Sequence, residues 1–163
     1  MESAAFNPSK VLAQSPFEGT VRVFASVYGT MQDWKIDGEF DVPAGTLYGT
    51  ALTGAKAKVH YEAGLLTASG AASALGGSFE GRAALHTAGG SYSAHVEAKG
   101  LRGEEIAALL PEANVSLTGS YGADVVLTGK GADTADLLAY GTLSGEGAVF
   151  HGVVAEKVSA SFF

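Results

Sequence analysis

Cysteine is absent from the 163 residues. That removes disulfide frameworks, thiolate zinc sites and thiol redox chemistry, and leaves the redox state of the compartment open. Cations are scarce, since 10 Lys and Arg stand against 17 Asp and Glu for a formal charge of −7. A phosphate backbone would be repelled overall, and no Lys/Arg stripe offsets the deficit, so nucleic acid is excluded as a partner class. Long apolar runs are also missing: no window approaches the roughly 18 uninterrupted apolar residues of a spanning helix. Met1–Gln14 lacks the basic-then-apolar layout of a secretory leader, which places any targeting segment outside this sequence.

Glycine is what the chain has in excess, 23 residues, within a composition that is 47 % hydrophobic and only 17 % charged. The length predicts one domain. Residues 1–19 read as an N-terminal extension and 20–163 as a repetitive β-domain taken from a longer protein. The grounds are short apolar/polar alternations broken by Gly, Pro, Asn or Asp. In Thr20–Tyr28 the residues Val21, Val23, Ala25 and Val27 share a face. In Lys35–Val42, Ile36, Gly38, Phe40 and Val42 oppose Lys35, Asp37, Glu39 and Asp41. Ala55–Tyr61, Leu65–Ser69, Phe79–Leu85, Tyr92–Ala98, Val115–Tyr121, Ala123–Lys130, Thr142–Val149 and Val158–Phe163 continue the pattern, giving ten or eleven strands. Turns such as Glu62-Ala63-Gly64 are too brief for helical crossovers, so the sheet is an antiparallel meander. Two helices interrupt it: Arg102–Leu110, with Glu104 and Glu105 in its first turn and Pro111 as its stop, and a weaker candidate over Asp133–Tyr140 that reads equally as a loop.

Reactive chemistry is thinly represented. His60, His86, His95 and His151 sit on separate runs with no HxH or HExxH spacing, so they read as solvated side chains, and no metal or cofactor is expected. Glu80 and Glu97 fall on neighbouring strands and could face each other like a glycosidase pair, but Arg82, His95 and Lys99 share that wet face, which makes a surface charge lattice the simpler account. No GxSxG elbow or phosphate-binding loop is present, and no enzyme activity is expected.

An internal echo links Ile36-Asp37-Gly38-Glu39-Phe40 with Leu143-Ser144-Gly145-Glu146-Gly147 and suggests a repeat. From Tyr92 onward the chain has a strand ending in Lys99-Gly100-Leu101, a short helix closing in Leu109-Leu110-Pro111, then Val115-Ser116-Leu117-Thr118-Gly119-Ser120 and Leu127-Thr128-Gly129-Lys130-Gly131. In these features it resembles the AsmA-like superfamily, particularly TamB-type proteins. The resemblance implies a β-taco, a long bent sheet with an apolar groove, in an envelope protein of a bacterium with two membranes. It further implies a periplasmic location, an inner-membrane anchor outside this sequence, carriage of phospholipid acyl chains between inner and outer membranes, and a contribution to outer-membrane protein assembly with its partners.

Independently of that resemblance, the inward faces mix large and small side chains. The expected lining comprises Val21 and Val23, then Ile36, Phe40 and Val42, then Val59 and Tyr61. Phe79 and Leu85 follow, with Tyr92 and Val96, then Val115, Leu117 and Tyr121. Val125 and Leu127, Leu143 and Val149, and finally Val158 and Phe162 complete it. Glycine and alanine between them leave facing walls hard to fill, and about ten strands at ~4.8 Å spacing give a trough roughly 48 Å long. Sixteen methylenes buried there would contribute about 13 kcal/mol before entropic costs. The expected fold is therefore all-β, a curved antiparallel sheet or open flattened barrel with one short helix. The competing reading is a structural or adhesive β-solenoid segment whose core is packed solid.

Overall fold

A computed structural model describes residues 2–6, 17–30, 33–109, 116–131, 136–150 and 153–163. The strands are β1 (Glu2–Phe6), β2 (Phe17–Gly19), β3 (Val21–Gly29), β4 (Trp34–Leu47), β5 (Thr50–Glu62), β6 (Leu65–Ala74), β7 (Gly77–His86) and β8 (Ser91–Arg102). One helix, α1 (Gly103–Ala108), separates these from β9 (Leu117–Lys130), β10 (Leu138–Phe150) and β11 (Val153–Phe162). All strands belong to a single sheet in the order β1-β3-β4-β5-β6-β7-β8-β9-β10-β11, and β2 pairs with the far half of β4 beside β3. Every pairing is antiparallel. The sheet is curved and does not close.

Local chemistry accounts for the tight connections. Tyr48-Gly49, Ala63-Gly64 and Leu75-Gly76 all have both residues at positive φ. That is the geometry of two-residue turns whose twist matches the flanking strands, and the second position of each is the residue without a Cβ. The hairpins β4–β5, β5–β6 and β6–β7 follow from these three turns. Bends come from register irregularities, between Thr53 and Lys56 on β5, Ala98 and Leu101 on β8, and Glu146 and Val149 on β10. Each adds backbone to one strand without adding pairs, which bends and twists that strand locally.

Three expectations need correction. Val115–Tyr121 and Ala123–Lys130 are not two strands: the described part, Leu117–Lys130, is one, and Gly122 continues it with β8 on one side and β10 on the other. The first helix is shorter than its apolar spacing implied, because β8 runs to Arg102 and α1 starts only at Gly103. The second helical candidate fails over its last three residues. Leu138, Ala139 and Tyr140 begin β10 and pair with Thr128, Leu127 and Val126, so a complete ladder outcompetes weak helix propensity. Residues 133–135 of that candidate lie outside the described residues.

The sheet has no second layer among the described residues. The chain exposes 10853 Å², whereas a compact protein of this mass exposes roughly 7,500 Å². Among the described residues only Val21, Val42, Ala98 and Leu101 are buried apolar side chains. The helix packs on β8 and β9 at one margin, where a Cβ on Gly103 would come within 2.9 Å of Leu117, Thr118 and the Tyr121 ring.

Candidate functional site

Side chains of register partners share a face, so the ladder itself assigns the two surfaces. One row runs Val23, Phe40, Ala57, Gly70, Gly81, Val96, Val125, Gly141, Phe162 across nine strands. It spans roughly 38 Å at ordinary strand spacing and contains no polar side chain. Beside it run Gly38, Val59, Ala68, Ala83, Ala94 and Leu127. Ile36, Tyr61, Leu66, Leu85 and Tyr92 form a third row, and Ala72, Phe79, Ala98, Ala123 and Leu143 a fourth. These four rows carry no charged residue.

Most of the expected lining falls on this face. Val42 stands opposite Ala55, Gly145 joins Tyr121 to Val158, and the Tyr121 hydroxyl donates to the Thr118 carbonyl at 3.1 Å. Val21 lies next to the register pair Arg22–Asp41 and is buried. Leu117 and Val149 lie past the irregularity in β10, opposite Phe150 and Thr118 respectively. Val115 is outside the described residues. Sequence reasoning passed over the alternate residues of β6, where Leu66, Ala68, Gly70 and Ala72 complete four rows; their strand mates Ala71 and Ser69 are too small to mark a wet face clearly.

The apolar face is not uniform in depth. A hollow of about 420 Å³ is centred on it. Its floor is Ala57, Ala68, Gly70, Gly81, Ala83 and Ala94, and Phe40 and Phe79 stand at its sides. The buried residues Val42 and Ala98 lie toward the helix-capped margin. Toward the other margin Trp34 stacks on Tyr61 with ring centroids 4.7 Å apart, and Trp34 is about half exposed. The expected slot between two facing walls is therefore an open trough with one wall, because no described strand folds back over the sheet.

The opposite face is a polar lattice. Arg22 pairs with Asp41 at 3.3 Å, Lys58 with Glu39 at 3.2 Å, His95 with Asp124 at 3.0 Å and Lys99 with Glu97 at 2.8 Å. A longer chain of contacts crosses β3, β4 and β5. Tyr28 donates to Asp37 Oδ2 at 2.7 Å, His60 Nδ1 lies 2.6 Å from Asp37 Oδ1, His60 Nε2 is 3.4 Å from Glu62 Oε2, and Glu62 also pairs with Lys35. The Asp37 carboxylate, then Glu62, raises the His60 pKa, and the imidazole together with the Tyr28 hydroxyl holds Asp37 below its ordinary value. Lys35, then His60, lowers Glu62 in turn. Glu80 and Glu97 are register partners, as the sequence suggested, and Asp124 follows in the same row. Among the described residues no cluster of His, Asp and Glu could hold a metal ion, and no helix is long and apolar enough to cross a membrane.

A twisted single sheet is concave along one diagonal of each face. The polar face accordingly has hollows of its own, of about 900 Å³ and about 520 Å³, which meet along Lys58, Ser69, Arg82 and His95. Comparison with known proteins returned no matching family model, no matching curated protein and no matching solved structure.

Proposed function

We propose that the apolar face is a lipid-carrying surface, part of a longer periplasmic protein on which phospholipid acyl chains pass between inner and outer membranes. The observation that carries this reading is the uninterrupted row from Val23 to Phe162, nine register-aligned positions without a polar side chain, left uncovered by any second layer among the described residues. Water against that surface is unfavourable, and a hydrocarbon chain laid on it recovers about 0.8 kcal/mol for each methylene it buries. Val, Phe, Ala and Gly are the residue types along the row, so a chain displaced by one strand exchanges one apolar contact for another. Movement along the face then meets no deep trap. A phosphate-bearing headgroup stays in water at the trough's open side and so avoids the large cost of desolvation. The resemblance to TamB-type proteins supports the same reading and adds a role in outer-membrane protein assembly. The competing solenoid reading requires a solid core, and the small buried set gives it no support.

The test is site-specific photo-crosslinking with phospholipid vesicles. Probes at Val96 and Leu127, on the apolar face, should capture phospholipid, and probes at their chain neighbours Glu97 and Thr128 should not. Equal labelling at both pairs of positions would reject the trough.

A further inference from the structure

The larger hollow, about 900 Å³, lies on the polar face, and the lipid reading makes no use of it. Its floor is made of small side chains: Thr67, Ser69, Ala84 and Ser93. Two ion pairs stand on one side, Asp37 with His60 and Glu39 with Lys58, and His95, paired with Asp124, stands on the other. Both carboxylates that line the hollow are thereby compensated. Arg82 is not: its guanidinium has no ion pair or hydrogen bond among the described residues, although it projects between Ser69 and His95 in the ladder. The hydroxyls of Ser69 and Ser93 are likewise unpartnered there. Ser69 is the direct register partner of Arg82, and Ser93 lies two residues along β8 from Arg82's other partner, His95, opposite Ala84 on the same face. Glu80, the nearest carboxylate without an ion pair on β7, lines only the smaller hollow.

We propose that this hollow is a binding site for a phosphate group on a compact polar molecule, gripped by the Arg82 guanidinium and by the Ser69 and Ser93 hydroxyls. A guanidinium presents parallel N–H donors that match two oxygens of a phosphate, and hydroxyls supply donors for the remaining oxygens. The chain's overall charge of −7 disfavours anions in general, so a site must hold a local uncompensated cation, and in this hollow Arg82 is that group. The volume suits a small ligand, since such pockets run from roughly 300 to 1,000 Å³. The phosphate could be free or could be the polar end of a lipid-derived molecule; both present the same group to Arg82.

NMR titration of the whole chain, reading the Arg82 Nε–Hε resonance, tests this with inorganic phosphate and with glycerol 3-phosphate. A saturable shift is expected. Arg82→Gln should weaken binding at least tenfold, and Arg82→Lys, which keeps the charge but loses the fork, should fall between. Lys130→Gln, at the exposed end of β9 outside the hollow, should leave binding unchanged, and unchanged amide spectra would show that each variant is folded. Tighter binding of glycerol 3-phosphate assigns the site to headgroup-type ligands, and tighter binding of inorganic phosphate assigns it to the free anion; both support the proposal. A shift that does not saturate, or equal affinity for the wild type and Arg82→Gln, overturns it and leaves the apolar trough untouched.

Discussion

His60 Nδ1 on β5 lies 2.6 Å from Oδ1 of Asp37, its register partner on β4. The Asp37 carboxylate is the main reason the imidazole's pKa is raised, with Glu62 second. A raised folded-state value means that the stabilisation is complete below the ordinary His pKa near 6.5 and is lost as pH rises through the raised value. Asp37 and Glu62 have the opposite sign: their folded values are lowered, so their contribution is present above the ordinary carboxylate range and disappears as pH falls through the lowered values. Thermal melts should therefore show greatest stability between about pH 5 and 6.5, with Tm falling on both sides. His60→Gln should flatten the alkaline fall and keep most of the acid one. A wild-type Tm that rises from pH 6 to 8 would contradict the pairing. The groups are about half exposed, so the effect is small and should shrink in salt.

Two glycines on β7 should respond in opposite ways to alanine. A Cβ on Gly77 would meet the Lys99 carbonyl oxygen at 2.3 Å, beside the irregularity in β8. Gly77→Ala forces backbone apart and should cost about 1–3 kcal/mol in urea unfolding. A Cβ on Gly81 finds its nearest atom, the His95 carbonyl oxygen, at 3.5 Å. Gly81→Ala should be neutral or stabilising by about 0.5 kcal/mol, because it restricts the unfolded chain.

Neighbouring positions on β8 separate the two faces functionally. Ala94 lies on the floor of the apolar hollow and Ser93 on that of the polar one. Ala94→Lys places a charge in the path of a hydrocarbon chain and should reduce phospholipid crosslinking at Val96 at least tenfold, whereas Ser93→Lys should leave it within twofold. Circular dichroism should show both variants folded, since an open sheet leaves either lysine in water.

Glu80 and Glu97 stand directly opposite in the ladder, and Asp124 extends the row of like charge. Lys99 compensates Glu97 and His95 contacts Asp124, but Glu80 has no ion pair among the described residues. Glu80→Gln removes the repulsion between the two carboxylates together with Glu80's more distant attraction to Lys99. At direct register the repulsion is the larger of the two, so Tm should rise by roughly 1–3 °C at low salt, with the gain vanishing in 1 M NaCl. An unchanged or lowered Tm at low salt would show that the two carboxylates do not repel.

Much of the fold was legible because strand periodicity is local. Val21, Val23 and Val27, or Phe79 and Leu85, reveal their common face from their spacing alone. The expectation broke where pairing was decided elsewhere in the chain: Leu138–Tyr140 carries no strong strand signal, and its conformation comes from the waiting edge of β9. The aromatic stack of Trp34 on Tyr61 was similarly invisible, since it joins residues 27 positions apart across the β4–β5 hairpin. The polar hollow was missed for the same reason. Ser69, Arg82 and Ser93 lie on three strands, and nothing within any one strand marks them as neighbours.

Alternation and turn chemistry were enough to dictate an antiparallel β-structure with one oily and one charged surface, because each side chain's direction depends only on its place in its own strand. Register, twist and the lack of a covering layer among the described residues had to come from the folded molecule. Those features depend on how distant segments satisfy one another's hydrogen bonds, and they alone turn scattered alanines and glycines into a trough and bring Arg82, without an ion pair among the described residues, into the lining of a hollow.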